Sequence, residues 1–342
     1  METDITHFIE NIPKVELHLH LEGTLEPSML LSLAKRNGVT LPYETATTSS
    51  VANAYKFTNL QSFLNLYYMG CTILLQSQDF YDLTMAYLTR AHDDENVRHV
   101  ELFFDPQAHT ARGVPFDDVV DGIHSALVDG QKNYGITSKL IMCILRDQSE
   151  EDGMKALDAA LRHKDKIAGV GLDSAEIGNP PSKFQRLFQR ARKEGFFAVA
   201  HAGEEGPPKP YVWDALDKLG VVRIDHGVRC EEDDELVERL IKDRIPLNVC
   251  PISNVKLKVF DTIQDHNLKR MLDRGLMVTV NSDDPAYFGG YITKNFTEAT
   301  RHLGLTKKDI IQLTKNAIEA SALGAEGKAK LSEELESFLN AT

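Results

Sequence analysis

Two histidines spaced i and i+2, His18 and His20, stand in the stretch Val15-Glu16-Leu17-His18-Leu19-His20-Leu21-Glu22-Gly23. Apolar residues at 15, 17, 19 and 21 alternate with polar ones, a period of two that predicts a β-strand with both imidazoles on one face. Side by side, two such rings can take two positions on one metal ion at about 2.0–2.1 Å per Zn–N bond, and Gly23 with Pro27 ends the strand. Taken alone, the pair is also the polar face of a solvated strand.

Other reactive side chains lie in short turns far along the chain. His201 stands in Ala200-His201-Ala202-Gly203-Glu204-Glu205-Gly206, His226 in Asp225-His226-Gly227, and two carboxylates in Asn281-Ser282-Asp283-Asp284-Pro285. Three neutral imidazoles and one carboxylate suit a borderline ion such as Zn2+ with a position left for water, whose pKa then falls toward ~7. Glu204, three residues past His201 on a glycine-flanked turn, can reach the same cavity and hand a proton to a ring nitrogen. His226, on a neighbouring strand, can orient that water and stabilise developing charge. Each motif also has a plain structural reading: a solvated turn at Glu204-Glu205, a satisfied rim histidine at 226, turn chemistry at Asp283-Asp284-Pro285. The remaining histidines, 7, 92, 99, 109, 124, 163, 266 and 302, have no partner pattern and read as structural or exposed.

These residues need a scaffold that brings distant strand ends together. After the first strand, 26–36 has helical periodicity, 43–53 reads as a loop, and Phe57, Leu60, Phe63, Leu64 and Tyr67 recur at helical spacing before a second helical run over 79–91. That aromatic stripe reads as core packing or as a roof over the site. Seven further apolar runs follow, at 100–104, 139–144, 168–172, 196–201, 221–224, 246–249 and 276–280, alternating with helical stretches at 117–133, 150–163, 182–194, 211–219, 232–243 and 265–273. Strict alternation predicts parallel βαβ units, and eight of them favour a closed α/β barrel, the (β/α)8 or TIM barrel, over an open sheet. The expectation is one domain over 1–342, with a helical insertion after the first strand and a helical C-terminal tail from about Lys307. In a parallel barrel the strand C-termini carry the reactive residues, and that filter selects the motifs above.

Composition narrows the partners. Of 342 residues, 42% are hydrophobic and 26% charged, ordinary for a globular protein with a sizeable core. The 38 basic and 51 acidic residues leave a formal charge of −13, the wrong sign for a nucleic-acid ligand. Four scattered cysteines form no Cys-x-x-Cys pair and read as reduced thiols. No apolar run approaches the ~20 residues of a membrane span, and the N-terminus lacks a secretory pattern, so a cytoplasmic protein is expected. Apolar helix faces leave a homo-oligomer open.

Taken together, His18-Leu-His20-Leu-Glu-Gly, His201-Ala-Gly-Glu204, Asp225-His226-Gly227 and Ser282-Asp283-Asp284-Pro285 resemble the adenosine/adenine deaminase family of metal-dependent amidohydrolase barrels, in order and from about residue 11 to about 300. Leu21-Glu-Gly-Thr-Leu-Glu-Pro27, Phe104-Asp105-Pro106-Gln107, Gly171-Leu-Asp-Ser-Ala-Glu176, Cys250-Pro-Ile-Ser-Asn-Val-Lys-Leu257 and Asp284-Pro-Ala-Tyr-Phe-Gly-Gly290 are similar to the adenine-acting branch. The resemblance implies one Zn2+ per chain on His18, His20, His201 and Asp283, Glu204 as proton donor, His226 assisting the hydroxide and Asp284 contacting the substrate. It implies hydrolytic deamination of a small purine base, adenine giving hypoxanthine and ammonia. Deamination of adenosine or N6-substituted adenines shares the same residues, and a purine-binding protein with a structural metal is a third reading.

Glu176 stands where the nucleoside-acting enzymes usually have glycine. At the end of the fourth strand it is expected to accept the N9–H of a free base and to leave a nucleoside facing an unpaired charge, a difference worth roughly 10⁴ in discrimination; a helix-capping role is the alternative. The His/Cys/Cys zinc deaminases are excluded because Pro-Cys-x-x-Cys is absent. Gly169-Val-Gly171 is an incomplete dinucleotide fingerprint, with Ser174 at the third glycine position.

Overall fold

A computed structural model describes residues 2–41 and 47–341. Eight strands, β1 Lys14–His20, β2 Val97–Phe104, β3 Thr137–Leu145, β4 Gly169–Asp173, β5 Phe197–Ala202, β6 Arg223–His226, β7 Leu247–Val249 and β8 Val278–Val280, run in sheet order β1 to β8. Every neighbouring pair is parallel, as crossover helices require. The expected (β/α)8 barrel is the fold.

The seam between β8 and β1 closes through residues just beyond β8. Leu19 and Asp283 form an isolated parallel bridge. The Asp283 N–H donates to the His18 carbonyl at 3.0 Å, and the His20 N–H donates to the Asp283 carbonyl at 3.0 Å. Farther along, the Leu17 N–H donates to Asn281 Oδ1 at 2.8 Å. Each contact pairs a buried backbone group that would otherwise lose its hydrogen bond.

The main hydrophobic core lies between barrel and helices and runs without a break from Phe8 to Leu335. A second, smaller cluster of Phe103, Ile141, Cys143 and Val199 fills the barrel interior. There Gly171 is required by space: a Cβ would stand 2.6 Å from Cys143 Sγ. The glycine pair in β4 is therefore a packing device, with no phosphate loop attached.

Between β1 and β2 come the expected inserted helices, Pro27–Arg36, Leu60–Cys71 and Ser77–Asp93. One correction falls here. Within the expected loop, Thr48–Ala54 is a helix, started by a reciprocal Thr47/Ser50 capping box that outweighs weak intrinsic propensity; residues 43–46 lie outside the described residues. Helices Lys307–Ala320 and Ala325–Ala341 form the C-terminal tail, and an unanticipated helix, Glu2–Asn11, precedes β1. The sixth strand lies two residues later than its apolar run, which puts Asp225 and His226 on the strand itself. No helix among the described residues is long and apolar enough to cross a membrane.

Candidate active site

β1 presents His18 and His20 inward, where both rings pack edge-on against Phe103 at centroid distances of 5.2 and 5.1 Å. His201 ends β5, His226 ends β6, and Asp283 follows β8. His226 and Asp283 both hold positive φ, 69° and 65°. Left-handed backbone at non-glycine residues costs about 1–3 kcal/mol and persists where surrounding structure enforces it.

The side chains converge. Ligand atoms of His18, His201, His226 and Asp283 all lie within 4.8 Å of one another. His18 Nε2 is 3.1 Å from Asp283 Oδ1, and His20 Nε2 is 3.5 Å from the same oxygen and 3.1 Å from His201 Nε2. His201 donates from Nδ1 to the Leu172 carbonyl at 3.2 Å, which leaves its Nε2 with a lone pair. Behind His20, Asp173 Oδ2 stands 3.6 Å from Nδ1, and behind His18, Asp225 Oδ1 stands 3.7 Å from Nδ1, so each ring has a carboxylate at its back.

Burial favours neutral rings. Burial, ahead of neighbouring charge, pushes His20 down to about 4 and His226 down to about 3, and it holds His201 well below the usual imidazole range with help from His18 and His20. For His18 burial acts the same way, but Asp283 and Asp225 outweigh it and raise the ring. Burial opposes charge on Asp283 too, yet His18 and the other rings hold its carboxyl well below the usual range. Ring nitrogens and the ionised Asp283 carboxylate crowd one buried point, an arrangement that leaves negative charge uncompensated unless a cation lies among them. This donor set, nitrogen-rich with one hard oxygen, fits a divalent metal of the zinc type.

Two acids face the same cavity. Burial, followed by Asp283, Glu176 and Glu205, holds the Glu204 carboxyl well above its ordinary range. Its Oε2 lies 3.6 Å from His226 Nε2. Asp284 is likewise held well above its range by burial and then by Asp283, and its Oδ1 has no hydrogen-bond partner.

A chain of hydrogen bonds fixes the tautomer of His226. The Leu268 N–H donates to His266 Nδ1 at 3.1 Å, so His266 carries its proton on Nε2 and donates to Asn254 Oδ1 at 3.1 Å. With its oxygen thus occupied, the Asn254 amide turns its N–H2 to His226 Nδ1 at 3.2 Å. The remaining nitrogen of His226, Nε2, is left as the N–H that points at Glu204 and Asp283. His266, read from sequence as having no partner pattern, starts this chain from 40 residues beyond His226. Only the unabsorbed phrase Cys250-Pro-Ile-Ser-Asn254 hinted at its middle member.

Glu176 departs from its expected role. Its carboxylate does not line the cavity and is consumed by the backbone of the β5 turn: Oε1 accepts the Gly203 N–H at 2.7 Å, and Oε2 accepts those of Glu204, Glu205 and Gly206 at 3.1, 2.8 and 2.8 Å. A carboxylate with four donors already aimed at it has little capacity left for a base N–H.

The cavity lies at the strand-end rim of the barrel. His20, His201, Glu204, His226, Asp283 and Asp284 form its floor and sides. Leu60, Phe63, Leu64, Tyr67 and Tyr68 of the inserted helix roof it, so the aromatic stripe does roof the site. Sequence reading missed Asp105 and Asp173, buried wall carboxyls at the ends of β2 and β4.

Known proteins match along almost the whole chain. The Adenosine deaminase family profile matches residues 13–338. An adenine deaminase of Chlorobium phaeobacteroides is 57% identical over 324 residues, 95% of this chain and 96% of that protein. One from Hahella chejuensis is 52% identical over 332 residues, covering 97% and 98%. Among solved structures, the crystal structure of adenine deaminase from Arthrobacter aurescens has a TM-score of 0.93 at 48% identity, covering 96% of this chain and 99% of that one. A zinc-bound amidohydrolase from Burkholderia ambifaria has a TM-score of 0.89 at 28% identity, covering 98% and 94%. With this floor of imidazoles at the strand ends and a profile match that spans the barrel, the chain belongs to the adenosine deaminase family.

Proposed function

We propose that this protein hydrolyses adenine to hypoxanthine and ammonia, with one Zn2+ per chain held by His18, His20, His201 and Asp283. The observation that carries the chemistry is the meeting, in one roofed cavity, of the imidazole–Asp283 cluster with the raised carboxyl of Glu204. Support for the substrate comes from the adenine deaminases that are 52% and 57% identical over nearly full length.

When bound, the cation supplies Lewis acidity that makes water a nucleophile at neutral pH. The protein's own groups do the rest. The tetrahedral centre forms at C6 of the purine, and Glu204, protonated in its buried setting, gives its proton to N1 as that bond forms. His226 donates from Nε2 to the incoming oxygen, the one direction its fixed tautomer allows. Asp284 meets N7 and keeps the ring plane in register with Glu204. The amino group then leaves as ammonia, and water adds the balancing oxygen and protons. Leu60, Phe63 and Leu64 close over the base and exclude bulk water, which strengthens each of these contacts.

The test is ammonia release from adenine, adenosine and N6-methyladenine by protein whose metal content is measured in parallel. Adenine turnover by zinc-loaded protein, with adenosine the poorer substrate in kcat/KM, supports the reading. Turnover of adenosine alone, or no ammonia from any 6-aminopurine, overturns it.

A further inference from the structure

We propose that the β5 turn, Gly203–Gly206, is an anion nest whose resident occupant is the carboxylate of Glu176, and that this internal ligand positions Glu204. Four consecutive backbone N–H groups converge on one carboxylate at 2.7–3.1 Å. Successive amides in such a turn form a concavity of partial positive charge that binds an oxyanion. Gly203 supplies the needed left-handed backbone, at φ 70°. At the other end, a Cβ on Gly206 would stand 2.8 Å from Glu176 Oε1, so the carboxylate fills the nest to its edge.

The surroundings of the nest are built for negative charge. Arg146, fully buried, donates from Nη1 to the His201 carbonyl at 2.6 Å and from Nε to the Asn179 carbonyl at 2.9 Å, while its Nη2 has no partner. Arg229 donates from Nη1 to the Glu205 carbonyl on the outer side of the turn. Arg229 therefore grips a carbonyl of the turn and Arg146 the His201 carbonyl just before it, while Glu176 grips the turn's amides. Because the N–H of Glu204 itself is one of the four donors, the backbone origin of the acid side chain is fixed by Glu176. Glu176 is thus a positioning residue, acting on the substrate only through Glu204.

This inference rests on the proposed role of Glu204 in adenine deamination. The nest itself is tested without turnover. Glu176→Ala empties it, leaving a site of the right size and charge for formate or acetate. In that variant, zinc-loaded, kcat for adenine should fall about 10²-fold, the order expected when a reacting group is misplaced by about 1 Å, with KM within about threefold. Added formate should raise the melting temperature of Glu176→Ala saturably and restore kcat at least tenfold; potassium chloride at equal ionic strength should do neither, and wild type should not respond. Glu176→Gln keeps the volume but sets an amide N–H2 among four N–H donors; it should lose kcat like the alanine variant and stay insensitive to formate, since the nest is filled. A large rise in KM with kcat preserved, or formate leaving both the melting temperature and the kcat of Glu176→Ala unchanged, overturns the proposal. Wild type that releases no ammonia from adenine defeats the functional reading alone, because the melting-temperature response to formate still decides the nest.

Discussion

His18 and Asp283 meet twice, once through the main chain and once through their side chains. The Asp283 N–H donates to the His18 carbonyl at 3.0 Å, and Asp283 Oδ1 stands 3.1 Å from His18 Nε2. Closure of the barrel and convergence of the imidazole–carboxylate cluster therefore share this pair of residues.

Two substitutions at 283 separate backbone from ligand. Asp283→Ala and Asp283→Gly should both lose bound metal, measurable by elemental analysis after dialysis, because each deletes the only carboxylate in the cluster. The metal-free Gly variant should nevertheless be more stable than the metal-free Ala variant by about 1 kcal/mol, since glycine holds φ near 65° without a Cβ penalty. Urea denaturation of the two proteins makes the comparison. Equal midpoints would mean that the left-handed backbone at 283 is not retained without its side chain.

Asn254→Asp reverses one link of the relay behind His226. A carboxylate cannot donate to Nδ1, so the ring must put its proton there and present a lone pair on Nε2 instead. Turnover should fall by about 10³–10⁴, the order seen when a catalytic histidine is held in the wrong tautomer. Metal content should hold, since none of the four proposed ligands bonds Asn254. Nitrogen chemical shifts of labelled histidine would report the switch directly, and an unchanged Nδ1 lone-pair signal for His226 would refute the assignment.

Glu204→Gln keeps the shape and removes the proton that N1 needs. Its kcat should fall by about 10²–10⁴ with bound metal intact. In wild type, burial raises the pKa of Glu204, so kcat/KM should decline as pH rises through that raised value and the acid empties. The Gln variant should lack that basic limb. A Gln variant with full activity would remove Glu204 from the mechanism.

His266 gives a stability test away from the proposed ligands. Burial drops its pKa to about 3 in the folded protein, against 6.5 in the unfolded chain. Between those values the unfolded state binds the extra proton, so stability falls as the solution is acidified from about pH 6.5 toward 3. One such group contributes a slope of about 1.4 kcal/mol per pH unit. In metal-free protein, His266→Gln should flatten the pH dependence between 4 and 6 by up to that amount. An unaltered slope would show that His266 is protonated in the native state.

The parts of the site that sequence exposes are those with short-range pattern. His18 and His20 announce themselves by alternation, and Glu204, His226 and Asp283 by their places after apolar runs, because a parallel barrel puts strand ends at one rim. What the pattern hides is where hydrogen bonds go. Glu176 lies in the loop after β4, which ends at Asp173, and nothing local says that four amides from the next strand's turn will take both its oxygens. His266 and Asn254 belong to one relay with His226 only because the segments after β6 and β7 pack together. The end of β6 lies past its apolar run for a related reason: Asp225 and His226 are buried polar residues inside the strand, and Asp225 accepts from Asn248 Nδ2 at 2.9 Å, so the strand continues where hydropathy says it stops.

The plug of Phe103, Ile141, Cys143 and Val199 makes the barrel a blind well. Substrate and products then exchange at the strand-end rim, beside the Leu60–Cys71 helix whose side chains line the cavity. Incoming base and outgoing products thereby use the same end of the barrel.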